Sequence, residues 1–118
     1  MKPPGKAQPV SEEINIFKVL DFIRDNAPKY GQAKGNRVAI EEGRKALKAR
    51  LMKRHIDLPV TAQEREAYAD PEYKELIDGL GPAVECEETL RWMLEAARIK
   101  AEVWRTMEAN KRIEAKML

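Results

Sequence analysis

Hydrophobic and polar positions follow a helical period along most of the chain. The stretch from Glu87 to Arg112 contains neither Gly nor Pro, and its apolar residues fall on two sides of a helical wheel of about 100° per residue. One side holds Leu90, Leu94, Ala97, Ala101 and Trp104, and the other holds Trp92, Ala96, Ile99, Val103 and Met107. Since a surface helix needs only one apolar side, this helix is predicted to contact two neighbours.

The rest of the pattern predicts an all-α protein in which a single helical domain at 11–118 follows a disordered tail at 1–10. Apolar spacing and helix-breaking residues place helices at about 12–26, 28–54, 62–69, 71–80 and 83–114. No stretch of strict alternation is long enough to indicate a strand.

Helix ends are predicted from capping residues. Ser11 and Asp70 are expected N-caps, and Thr61 with Glu64 has the spacing of a capping box. Pro28 interrupts the first apolar stretch and is expected to kink or end it. Gly79, Gly81 and Pro82 are expected to produce a kink rather than a long loop.

The two long helical segments of the chain have complementary side chains if they pack antiparallel, with the numbers of facing residues summing to about 124. Apolar residues then face each other in the pairs Leu51–Tyr73, Leu47–Ile77, Ile40–Val84, Tyr30–Leu94, Leu20–Trp104 and Phe17–Met107. The seventh pair, Arg37 with Glu87, joins opposite charges. The predicted fold is a long antiparallel helical hairpin of coiled-coil type with an additional N-terminal helix.

The second apolar side of the last helix still needs a cover. Residues 12–27 could fold back over it and give a three-helix monomer, or a second chain could cover it. We favour the dimer, because a hairpin of 118 residues buries little surface alone and an uncovered patch around Trp92 would be unusual on a monomer.

Charge is distributed in blocks although the net charge is only +2. Residues 29–55 contain nine basic and two acidic residues, whereas residues 56–95 contain three basic and eleven acidic residues. Such neighbouring blocks either lie against each other or separate a nucleic-acid face from a solvated acidic face.

Candidate catalytic and metal-binding residues are few. His55 is the only histidine, Cys86 lies among glutamates that would raise the pKa of its thiol, and no phosphate-binding Gly loop is present. The acidic residues Glu72, Glu75, Asp78, Glu85, Glu87 and Glu88 lack the spacing of a calcium loop. We therefore expect no enzyme activity, no metal and no cofactor.

A basic arc on the second predicted helix is the best candidate for ligand binding. It comprises Lys34, Arg37, Arg44, Lys45, Lys48, Lys53 and Arg54. These side chains could neutralise backbone phosphates of DNA without reading sequence. The alternative, which we favour, is that they pair with the acidic block or are solvated.

The chain has no apolar segment long enough for a membrane span and no signal peptide, and its single cysteine fits a reducing compartment. A cytoplasmic protein is the simplest expectation.

Three segments carry a resemblance to a known group: NRVAIEEGRKALKARLMK at 36–53, EREAYADPEYKELIDGL at 64–80 and LRWMLEAARIKAEVWRTMEANKR at 90–112. Together they resemble small helical proteins of tailed bacteriophages and prophages, encoded among early genes for DNA replication or recombination. The resemblance implies a phage setting in the cytoplasm of a bacterial host. It transfers no catalytic residue, because that group has no assigned activity.

Two functions follow as hypotheses. The first is a non-enzymatic interaction or accessory protein that dimerises through the side of Trp92, Ala96, Ile99, Val103 and Met107, with an unknown host or phage partner in DNA processing. The second is a non-specific nucleic-acid-binding protein that uses the basic arc at 34–54. Inhibition of a host protein remains open without a specific sign in the sequence.

Overall fold

The structure is a computed structural model that describes residues 13–117, and the regular structure within this range is helical throughout. Four helices follow one another: α1 (Ile16–Lys53), α2 (Val60–Ala69), α3 (Pro71–Asp78) and α4 (Leu80–Met117). α1 forms one arm of a hairpin, α3 and α4 form the antiparallel second arm, and α2 lies at the closed end. The all-α hairpin predicted from the sequence is confirmed for the described residues.

The hairpin is elongated. Its principal extents are 86 × 40 × 21 Å, and its radius of gyration is 24.1 Å. A compact domain of this length would have a radius of gyration of about 13 Å. Most side chains therefore lie near the surface, and the fold depends on one long helix–helix seam.

α1 begins at Ile16, where Asn15 acts as the N-cap. The Asn15 side-chain oxygen accepts hydrogen bonds from the backbone N–H groups of Phe17 at 3.1 Å and Lys18 at 3.3 Å. Residues 13–15 precede the helix, so the expected start near residue 12 is too early. The predicted tail at 1–10 and the predicted Ser11 cap lie outside the described residues.

The separate helices predicted at 12–26 and 28–54 are wrong, because α1 continues through Pro28. Proline removes one N–H group and leaves the carbonyl of Arg24 without its usual helical partner. Asn26 and Tyr30, on either side of Pro28, are both partly buried on the side of α1 that faces α4. Packing along both turns holds the helix together, and the additional N-terminal helix does not exist as an element of its own.

The predicted caps of the shorter helices are confirmed in one case and wrong in another. α2 begins at Val60 after Pro59 without a side-chain cap, so the predicted Thr61–Glu64 capping box is not formed. Asp70 is confirmed as the N-cap of α3, because its carboxylate accepts the backbone N–H of Glu72 at 2.8 Å.

Between α3 and α4 only Gly79 is non-helical, which confirms a break without a long loop. α4 starts earlier and ends later than the predicted 83–114.

The seam between the arms repeats every seven residues. On α1 the buried or partly buried positions are Ile16, Val19, Ile23, Asn26, Tyr30, Ala33, Arg37, Ile40, Arg44, Leu47 and Leu51. On α4 the corresponding positions are Leu80, Ala83, Glu87, Leu90, Leu94, Ala97, Ala101, Trp104 and Glu108. Both series alternate steps of three and four residues, which is the spacing of a left-handed coiled coil.

The largest apolar cluster lies at the closed end of the hairpin. Leu47, Leu51 and Ala67 are buried there, and Met52, Tyr73 and Leu76 pack against them. Leu51 is only 1% exposed. The Tyr68 and Tyr73 rings meet edge to face with centroids 5.3 Å apart, so an aromatic contact joins α2 to α3 beside the cluster that holds both on the end of α1.

Candidate interaction surfaces

The second apolar side of α4 faces away from the seam. We call its five predicted members Trp92, Ala96, Ile99, Val103 and Met107 the outer stripe. All five are exposed, with Trp92 at 59% and Ile99 at 48%. In a two-helix hairpin these positions normally carry polar residues, because they contact only water. The outer stripe is therefore a surface that the fold of one chain does not explain.

Nothing in the described part of the chain covers the outer stripe. Residues 12–27 were the alternative cover, and the described part of this segment from Asn15 onward instead forms the N-cap and start of α1. Val19 on this segment is buried, and it lines a groove with Met93 and Ala97 of α4. The three-helix monomer is therefore wrong.

Charged residues border the outer stripe along one edge. Arg98 donates to Glu95 at 2.5 Å and to Glu102 at 2.6 Å, and Arg91 donates to Glu88 at 2.7 Å. These hydrogen bonds hold the pKa of Glu88 and of Glu95 below the ordinary value. The edge therefore stays ionised near neutral pH and consists of alternating positive and negative groups.

Trp92 has a charged neighbour of its own. The Arg91 guanidinium lies over the Trp92 ring, 4.6 Å from its centroid. Such a cation–π contact is worth roughly 0.5–1 kcal/mol at an exposed site. It favours an indole orientation in which the Trp92 ring lies against Arg91 on the surface of α4.

Four of the seven residues of the predicted basic arc have a carboxylate of the same chain within 4.0 Å. Lys48 lies 3.5 Å from Glu64 and 4.8 Å from the centre of the Tyr68 ring, and Arg54 lies 3.4 Å from Glu72. Lys45 is 3.6 Å from Glu42 on its own helix. Within residues 13–117, Lys34, Arg44 and Lys53 have no carboxylate within 4.0 Å. The basic and acidic blocks lie against each other at the closed end, as the favoured alternative predicted.

Arg37 belongs to the seam rather than to a free basic surface. Its guanidinium donates to both carboxylate oxygens of Glu87, through Nε and, at 3.0 Å, through Nη2. A third bond, of 2.9 Å, joins it to Glu41 on α1. The bond from Arg37 lowers the pKa of the Glu87 carboxyl, although burial opposes this, and the bond to Glu87 raises the pKa of Arg37.

His55 and Cys86 were the other residues considered for catalysis or metal binding. His55 lies in the turn after α1, where its carbonyl accepts the backbone N–H of Leu58 at 2.9 Å. Cys86 is exposed. Over residues 13–117, no group of three or more His, Cys, Asp or Glu side chains is arranged to hold a metal ion.

A shallow apolar groove of about 700 Å³ runs between α1 and α3. It is lined by Ile40, Gly43, Ala46, Leu47, Leu76 and Gly79, with Arg50, Glu72 and Glu75 at its edge. A Cβ added at Gly31, Gly35 or Gly43 of α1 would meet no neighbouring atom within 4 Å. No other part of the described chain therefore packs closely against these glycines.

None of the helices in the described range contains an apolar stretch that is long enough to cross a membrane. Comparisons with protein-family models, with curated protein sequences and with solved structures gave no match for this chain.

Proposed function

We propose that this chain is a non-enzymatic helical interaction protein whose contact surface is the outer stripe of α4. The observation that carries the proposal is the exposure of Trp92, Ile99 and Val103 on the side of α4 opposite the seam. Exposed apolar patches bordered by charged residues are typical of protein–protein contacts. Trp is also among the residue types that contribute most to such contacts.

An accessory role in phage or prophage DNA replication or recombination is part of the proposal. It rests on the resemblance of the three helical segments alone. Direct binding of nucleic acid by the basic arc is the less favoured function, because Arg37, Lys48 and Arg54 already have acidic partners within the chain. Phosphate groups would have to displace these carboxylates.

The proposal is tested by placing a photo-crosslinking amino acid at Ala96, with Arg65 on α2 as the exposed control site. We expect discrete protein adducts at Ala96, none at Arg65, and loss of the adducts when Trp92→Glu is added. The absence of Trp92-dependent protein adducts at Ala96 would contradict the proposal.

The nucleic-acid function is tested in parallel with short single- and double-stranded DNA over a salt series. We expect no complex near physiological salt. A complex that dissolves as salt rises, and that the double variant Lys45→Glu/Lys48→Glu no longer forms, would instead favour binding through the basic arc.

A further inference from the structure

Four members of the outer stripe, all except Met107, belong to a longer seven-residue repeat. From Trp92 the steps of four and three residues continue through Ala96, Ile99, Val103, Thr106, Asn110, Ile113 and Met117. We call these eight positions the outer row. Ile113 is 58% and Met117 81% exposed, so the row stays open to the end of the described helix. It spans more than three heptads, which is the length typical of a coiled-coil interface.

Within residues 13–117, the end of α4 has no partner arm. The Arg37–Glu87 pair fixes the register, and this register places the first residue of α1, Ile16, opposite the region of Met107 and Glu108. The last nine residues of α4 therefore extend past α1. Most helix stability in proteins comes from packing against a neighbour, which these nine residues do not receive from α1. An additional helix along the outer row would stabilise this end.

Resting on the proposed function, we infer that the outer row binds a second copy of this chain, with the two α4 helices parallel and in register. The flanks of the row provide the charge complementarity. Glu95 lies on one flank and Lys100 on the other. In a parallel pair a residue on one flank contacts the residue about five positions later on the partner helix, so each Glu95 faces a Lys100 of the other copy. Lys100 has no carboxylate within 4.0 Å among the described residues.

An antiparallel pair does not have this complementarity. Each flank would then face the same flank of the other copy, and Glu95 would lie close to Glu102. Arg98, which is bound to both glutamates, offsets only part of this repulsion, because its single positive charge faces two carboxylates in each copy. Like charges that face each other across an interface discriminate against that arrangement.

Asn110 points to the same orientation. It is the only amide side chain in the outer row, at a position reached by a step of four residues. In parallel two-stranded coiled coils an Asn at such a position pairs with its own copy and fixes the register and the number of strands. In the parallel, in-register arrangement the two Asn110 amides meet, whereas in an antiparallel arrangement they do not lie opposite each other.

The inference is tested by disulfide formation in a Cys86→Ser background. Val103→Cys lies in the outer row, and Arg105→Cys is an exposed control on the side of the same helix that faces away from the row. On mild oxidation we expect Val103→Cys to become a dimer of twice the chain mass and Arg105→Cys to stay single. If Val103→Cys stays single while a mixture of Trp92→Cys and Val103→Cys crosslinks, the copies are antiparallel and the inference is overturned.

The contact between Glu95 and Lys100 of the other copy is tested by charge-reversal variants. Glu95→Lys should weaken the dimer roughly tenfold, because two attractive contacts become repulsive, and Glu95→Lys/Lys100→Glu should recover most of the loss. A monomer at all concentrations would overturn the inference. In that case Trp92-dependent adducts at Ala96 with a different protein would leave the proposed function intact, and their absence would contradict it too.

Discussion

Arg37 on α1 and Glu87 on α4 form a forked ion pair inside the helical seam, fifty residues apart in sequence. The Glu87 side chain is 7% exposed and the Arg37 side chain 23%. Apolar residues occupy most other seam positions and can slide past one another at modest cost, whereas a buried carboxylate needs its cation. The pair therefore sets the register of the hairpin.

Replacing one member of this pair by Leu should destabilise the fold more than replacing both. Glu87→Leu leaves the Arg37 guanidinium in the seam without its main partner, while Arg37→Leu/Glu87→Leu leaves an apolar layer. We expect the single variant to lower the Tm by several degrees and the double variant to recover most of it, as measured by circular dichroism. A double variant at least as unstable as the single variant would contradict this role.

Acid should destabilise the hairpin through Glu87. Its pKa is lowered in the folded state by Arg37, so the folded state binds the proton less readily than the unfolded chain. This stabilisation is complete above the ordinary Glu pKa of about 4.3 and is lost as pH falls through the lower folded value. Measured from about pH 7 to about pH 3, the Tm should fall less in Glu87→Gln than in the wild type. Equal slopes would show that Glu87 does not contribute.

The closed end should be the most sensitive apolar part of the molecule. Leu51 is 1% exposed within the cluster of Leu47 and Ala67, so Leu51→Ala should lower the free energy of unfolding by about 2–5 kcal/mol. Phe17 is 76% exposed, so Phe17→Ala should change the free energy of unfolding by less than about 0.5 kcal/mol. Urea unfolding measures both. A loss of similar size in the two variants would place the main core elsewhere.

α1 should gain stability when its helix breakers are replaced. Pro28→Ala restores one backbone donor and should add up to about 3 kcal/mol, and Gly35→Ala should add about 1 kcal/mol, since no atom obstructs its Cβ. Thermal unfolding measures the gain. A decrease in Pro28→Ala would mean that the fold requires a bend at this point.

The antiparallel register could be predicted from the sequence because two independent patterns agreed on it. Pairing residues that sum to about 124 matched apolar residues and also placed Arg37 opposite Glu87, which the structure confirms. Tyr30 and Leu94 line one groove, and Leu20 and Trp104 line another, as that register requires. The apolar pattern and the charge pattern together therefore determined the register better than either pattern did alone.

The prediction of two separate helices on either side of Pro28 was wrong, because the local effect of proline was considered without the packing of α1 against α4. Proline disfavours a helix interior, but Ala33 and Val19 on either side of it are buried in the same interface. Tertiary packing outweighed the local preference. The seven-residue spacing of α1, with Asn26, Arg37 and Arg44 at seam positions, could have revealed this, but polar residues in the repeat concealed it.

The candidate interaction surface was predicted in part. The outer stripe was identified from the wheel of α4, and the structure places all five of its residues on the exposed side. Its continuation to Ile113 and Met117 was missed, because Thr106 and Asn110 interrupt the apolar pattern. For the basic arc, the charge pattern left two outcomes open, and only the structure shows that Glu64, Asp70 and Glu72 lie beside Lys48 and Arg54.

The molar mass in solution tests the central claim most directly. Light scattering over a range of concentrations should give twice the 13.5 kDa of one chain for the wild type and for the control Phe17→Glu. Trp92→Glu should give the mass of one chain with its helical content retained, because Trp92 lies on the surface opposite the seam. A wild-type protein that keeps the mass of one chain at every concentration, or a Trp92→Glu variant that remains a dimer, would contradict the account.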